Sequence, residues 1–206
     1  MPKCYRFKAT YEDEKYDEVN EVTFRCKLKQ KQCISITNRR ERCRNTAIVG
    51  IPYCHTHIRS GFQLRVVQEG EGRVYAHDPK AGANPIYRGD DDICIVKGEV
   101  LNTRQVNQRY GDYLTVKPPY LFQTHVDRFL DLSCDRNFAG MIRHARNYRE
   151  ANCMVFVARG PVMGVGRTLY LAATRNIYHG DELMLAPGRL FFLPRGRHPH
   201  KTYPCK

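Results

Sequence analysis

The chain has 206 residues, 34 of them Lys or Arg against 21 Asp or Glu, for a net charge of +13. That length holds one medium domain and a small module, and no apolar run approaches the roughly twenty residues of a membrane span. The opening MPKCYRFKATYEDEKYDE lacks the apolar core of a secretory signal, so the nine cysteines read as reduced thiols or metal ligands, not a disulfide framework, and the expected compartment is cytoplasm or nucleus.

Residues 1–24 read as an N-terminal arm with one or two short strands, anchored by Tyr5, Phe7, Val22 and Phe24. Most of the local acid lies here: Glu12, Asp13, Glu14, Asp17, Glu18 and Glu21. Residues 25–60 read as a zinc-binding module. Cys54 and His57 form a Cys-x-x-His pair that supplies two ligands from one turn, and Cys33 and Cys43 come from a loop rich in Thr, Asn and Arg. Cys26 and His55 are nearby spares. The apolar residues available for burial are Ile34, Ile36, Ile48, Val49 and Ile51, too few to hold a fold of this size without a metal staple.

Ser60-Gly61 reads as a hinge into a domain spanning 61–190. From Phe62 onward, short apolar runs alternate with Gly, Pro and Asp: QLRVV, DICIVKGEVL, YLTV, MVFVA, LYLAAT, ELML and LFFL. Their length and β-branched content predict strands, so the chain is expected to be mainly β with short helices. The helical candidates are VNQRYGD and NFAGMIRHARNYREA. Pro118-Pro119 interrupts regular structure. The acid run Asp90-Asp91-Asp92 reads as a solvated turn, because consecutive side chains point apart. Residues 191–206 form a basic, Pro-rich tail expected to be extended or disordered. The basic surface suits a polyanion such as nucleic acid, or an acidic protein.

Two resemblances follow from these motifs. The spacing of Cys33, Thr37, Arg42, Cys43, Tyr53, Cys54 and His57 resembles a small Cys-Cys-Cys-His zinc module common in large DNA viruses and found in some eukaryotic proteins. Residues 64–188 resemble a SET domain, the fold of protein-lysine methyltransferases. Four blocks carry this likeness in order. They are Glu69-Gly-Glu-Gly72-Arg-Val-Tyr-Ala76; Ile86-Tyr-Arg-Gly89-Asp90 with Val96-Lys-Gly98-Glu99-Val100 and Arg109-Tyr110; Phe129-Leu-Asp131-Leu-Ser with Asn137-Phe-Ala139-Gly-Met-Ile142-Arg143-His144; and Ala173-Thr-Arg-Asn-Ile177-Tyr-His-Gly180-Asp-Glu182-Leu183. The stretch Ala145-Arg146-Asn147-Tyr-Arg-Glu150-Ala-Asn152 is similar to the PR subtype.

The resemblance implies a SET-like β fold with S-adenosylmethionine as methyl donor, its site lined by Gly70, Gly72, Asn137, Arg143 and His144. It implies a histone-like protein substrate or partner, near chromatin. Two departures from the family pattern stand out. Arg143-His144 occupies the place of the usual Asn-His. Leu185-Ala186-Pro187-Gly188 occupies the place of a closing motif with two tyrosines, which leaves both positions without a hydroxyl. Tyr170 and Tyr178 read as packing residues, and Tyr203 in the tail is a candidate replacement. No catalytic residue is assigned. Two readings therefore stand together: a methyltransferase, and a degenerate SET fold used as a scaffold, for instance as a component of a viral particle.

Overall fold

The computed structural model describes residues 26–68, 72–112, 121–157 and 168–186. The expected arm, the YLTV and LFFL strands, the Pro118-Pro119 break, the basic tail, Gly70, Pro187, Gly188 and Tyr203 lie outside the described residues.

The structure is mainly β with few short helices. Helix α1 (His55–Phe62) starts at Cys54, which is extended, and ends at Gln63 with φ of 49°. The expected hinge at Ser60-Gly61 therefore lies inside a helix. Sequence pattern missed α1 because Ile58 is its sole buried residue and gives no apolar periodicity. Strands β1 (Leu64–Val67) and β2 (Arg73–Ala76) pair antiparallel. Their alternation puts Leu64, Val66, Val74 and Ala76 in the core, and outside them the Arg65 guanidinium covers the Tyr75 ring at 5.1 Å.

Next come β3 (Asp92–Ile95), β4 (Glu99–Leu101) and α2 (Thr103–Tyr110). Helix α2 begins earlier than VNQRYGD suggested because Asn102 and Gln105 form a reciprocal capping box. Val106 and Tyr110, four apart, face inward. Strands β5 (Leu121–His125) and β6 (Arg128–Asp131) form an antiparallel pair, and β4 joins β6 on its other side.

The expected helix over residues 137–151 does not form. Phe138–Met141 is a single 3-10 turn, followed by the two-residue strand β7 (Arg143–His144). Every residue from Asn137 to Ile142 is buried, an unbroken run that goes right round a helix and that no single helical face provides. Asn147 Oδ1 then accepts the backbone N–H of Arg149 at 2.9 Å and of Glu150 at 3.1 Å, the local turn bonding with which Asn competes against helix. Strands β8 (Cys153–Val157), β9 (Leu169–Ala173) and β10 (Met184–Leu185) complete a five-stranded sheet of order β3-β9-β8-β10-β7, in which β10 runs parallel to β7 and β8.

One buried cluster joins Ile48, Ile51 and Ile58 to Leu64, Val74, Phe138, Val155, Leu171, Ile177 and Leu183. The cysteine-rich stretch thus shares a core with the sheets. Phe62 stacks edge-on with Phe138 at 5.0 Å, and the Tyr87 hydroxyl donates to the Phe62 carbonyl. Ile34 and Ile36, expected to be buried, are 49% and 69% exposed. A disulfide joins Cys26 to Cys134, 108 residues away. This corrects the expectation that every cysteine is a thiol or a metal ligand, and it removes Cys26 as a spare ligand. Among the described residues no helix is long and apolar enough to cross a membrane.

Candidate metal centre

Cys33 and Cys43 project from the same side of a short ribbon. Antiparallel bridges pair Gln32 with Thr46 and Ile36 with Arg42, and backbone bonds Cys33 N to Asn45 O (2.9 Å) and Cys43 N to Ser35 O (2.8 Å) fix the register. With a side-chain period of two, residues 33, 35, 43 and 45 share one face. Cys54 precedes α1, and His57 lies in its first turn. The i,i+3 spacing places both on one helix flank.

The four ligand atoms, Sγ of Cys33, Cys43 and Cys54 and one ring nitrogen of His57, lie within 4.8 Å of one another. His57 Nδ1 stands 3.2 Å from Cys54 Sγ and 3.6 Å from Cys33 Sγ. A tetrahedron with Zn–S near 2.3 Å and Zn–N near 2.0–2.1 Å has edges of about 3.5–3.8 Å. The two His57 Nδ1–Sγ separations match it to within a few tenths of an ångström. All three cysteines are buried, and Cys54 N–H points at Cys33 Sγ (3.3 Å). This group could hold a metal ion, and its three sulfurs and one imidazole suit zinc. It is the one such group among the described residues. His55, the other spare, is exposed and outside it.

The thiols are not equivalent. Burial pushes Cys54 up, but hydrogen bonds from the His57 backbone and ring, Asn45 and Cys33 outweigh it and bring its pKa down to about 6. The Asn45 N–H pulls Cys43 down, yet burial and the neighbouring Cys33 and Cys54 win, so that thiol sits above its ordinary value. Asn45 was not read from the sequence as part of the site. Its N–H lies 3.4 Å from Cys43 Sγ and its Nδ2 3.8 Å from Cys54 Sγ, the outer-shell support that metal thiolates use. An Asn two residues after a ligand Cys was the available signal.

The residues expected to line a donor site are placed as follows. Gly72 has φ of +81°, and a Cβ there would fall 2.7 Å from Met141 Cε, so the start of β2 lies directly on the 3-10 turn. Arg143 grips Glu182 with two bonds, Nε to Oε1 at 2.9 Å and Nη2 to Oε2 at 3.1 Å, and Glu182 bridges to Tyr75 of β2. Asn137, 5% exposed, donates through Nδ2 to the Ile95 carbonyl at 2.7 Å. Its Oδ1 is buried without a hydrogen-bond partner among the described residues. His144 is exposed on β7. Leu185 and Ala186 are buried. A polar hollow of about 440 Å³ lies beside Glu182, lined by Glu150, Asn152, Arg175, Tyr178 and Asp181 among others. Its carboxylates brace local structure: Asp181 accepts the Tyr178 N–H at 2.8 Å, and Glu150 accepts Asn147 Nδ2 at 3.1 Å. Of the Asp90–Asp92 run, Asp90 and Asp91 lie in the turn before β3, where Asp91 accepts the Arg88 N–H at 2.7 Å, and Asp92 opens β3 itself.

Fold and site together define a mainly β protein with a Cys3His group that could hold a metal ion, its cysteines in a buried cluster of their own. No protein-family model matches the chain, and no curated protein matches it.

Proposed function

We propose that this chain is a zinc-stapled binding scaffold on a SET-like framework, in which methyl transfer has been lost. The bidentate Arg143–Glu182 pair carries the reading. At the position where the resemblance calls for an amide facing a cationic donor, the chain has a guanidinium. It offers only N–H donors and a positive charge, and its fork is committed to a carboxylate. Leu185, at one of the two positions where the resemblance expects a reacting hydroxyl, is buried and apolar, and the residue at the other, Pro187, has no hydroxyl either. Each placed hydroxyl in such a site is worth about 2.7–4 kcal/mol of barrier, so a site lacking both loses most of its rate. The basic cysteine-rich stretch, with eight Lys or Arg and one acid between Cys26 and Ser60, supports binding of a polyanion as the working role.

The transferase reading keeps one supporting observation, the buried Asn137 Oδ1, an acceptor without a partner among the described residues. The two readings separate cleanly. Purified protein is titrated with S-adenosylmethionine in a calorimeter and incubated with labelled donor, histones and basic peptides. The scaffold reading expects neither heat nor label. Label transfer that disappears in Gly72→Val overturns it.

A further inference from the structure

The ribbon that holds Cys33 and Cys43 has a second face. The register that turns residues 33, 35, 43 and 45 toward the Cys3His group turns Gln32, Ile34 and Ile36 outward, opposite Thr46, Arg44 and Arg42. All six are exposed. Two isoleucines at 49% and 69% exposure sit side by side on a ribbon whose inner face carries Cys33 and Cys43, where an aqueous surface would favour polar residues. The ribbon tip carries Arg39 and Arg40, both exposed. Arg40 holds φ of +62°, a conformation that suits Gly or Asn far better than Arg. Lys27, Lys29 and Lys31 lead into the ribbon, also exposed. The acid of this stretch, Glu41, reaches Arg44 only at 3.7 Å between two exposed side chains.

We propose that this outer face docks in the major groove of duplex DNA, with Ile34 and Ile36 against base edges and Arg39, Arg40 and Arg44 on the flanking phosphates. Shape favours this occupant. Two strands about 4.8 Å apart with outward side chains fit a groove about 12 Å wide, which admits a two-stranded ribbon, and apolar side chains there meet thymine methyls. The A-form major groove of RNA is too deep and narrow for such entry. An acidic protein surface would answer the arginines but not a projecting ribbon with apolar side chains along its length. The inference rests on the scaffold reading for its place in function, but its test is independent of donor binding.

Zinc-loaded full-length protein is titrated against a fluorescent B-form duplex over a range of salt, with an A-form RNA duplex and polyglutamate as competitors. Wild type is expected to prefer the DNA duplex, with affinity falling as salt rises. Combined Arg39→Gln, Arg40→Gln and Arg44→Gln should flatten the log–log salt slope by up to about 2.7, at about 0.9 per phosphate contact. Combined Ile34→Ser and Ile36→Ser should weaken DNA binding without changing the slope. Arg40→Gly separates folding from binding: it should keep zinc content and melting temperature at or above wild type while lowering DNA affinity. The proposal is overturned if polyglutamate competes as well as DNA at equal charge. It is also overturned if DNA and RNA bind alike and the isoleucine pair is silent, or if neutralising the tail arginines removes all binding while the ribbon variants remove none.

Discussion

Arg109 shares one nitrogen between two acids, and the structure assigns them very different weights. Its Nη1 lies 2.6 Å from Asp131 and 2.9 Å from Glu99. Asp131 has no exposed surface, whereas the Glu99 side chain is 41% exposed. The Asp131 carboxylate also accepts the Tyr110 hydroxyl at 2.7 Å and the Ser133 N–H at 2.8 Å. Burial works against the Arg109 charge, but Glu99 and Asp131 outweigh it and push its pKa up. Removing one member of a buried pair costs about 3–5 kcal/mol. Because Arg109 keeps Glu99, Asp131→Ala should fall at the low end, about 3 kcal/mol. An exposed pair is worth about 0–1 kcal/mol, so Glu99→Gln should cost about 0.5. With a urea m-value near 2 kcal/mol/M, the midpoints should drop by about 1.5 M and about 0.25 M. High salt should erase the Glu99 effect and spare the Asp131 effect. Equal shifts for the two variants, or a shift below about 0.5 M for Asp131→Ala, would refute the reasoning.

Three further outcomes are expected. Elemental analysis should find one zinc per chain, absent in Cys54→Ala. Because Ile48, Ile51 and Ile58 belong to the shared core, chelation should lower the melting temperature of the whole protein in one transition; an unchanged main transition would mean that the staple serves only its own loop. In the metal-free protein, the Cys54 pKa near 6 lies below the ordinary thiol value of 9.0. Its contribution is therefore complete above pH 9 and is lost as pH falls toward 6, while Cys43, shifted the other way, acts only above 9. Urea midpoints of chelated protein at pH 9, 7.5 and 6 should decline in that order, and Cys54→Ala should flatten the decline. Finally, a Cβ on Gly98 would meet the Asp131 carbonyl oxygen at 2.7 Å, whereas one on Gly61 meets nothing within 4 Å. Gly98→Ala should destabilise by about 1–3 kcal/mol and Gly61→Ala, inside α1, should stabilise by about 0.5–1 kcal/mol; chemical denaturation of the two variants checks the opposite signs.

The metal ligands were legible because ligand spacing is local. Cys54 and His57 share a helix flank, and Cys33 and Cys43 share a ribbon face, so a few residues of sequence encode most of the geometry. The strands QLRVV, MVFVA and LYLAAT were legible for a similarly local reason: short apolar runs rich in β-branched residues and bounded by turn residues read as strands. The pairing of Cys26 with Cys134, of Arg143 with Glu182 and of Arg109 with Asp131 was not legible. Each joins segments from 22 to 108 residues apart, and no short-range pattern selects one partner among many of the same type. Residues 137–151 failed as a helix because tertiary burial of Phe138, Ala139, Met141 and Ile142 overrode a favourable local composition. The outward isoleucines were misread because apolar character alone says that a side chain prefers burial; only the ribbon's register, with Cys33 and Cys43 on one face, decided that these two remain in water.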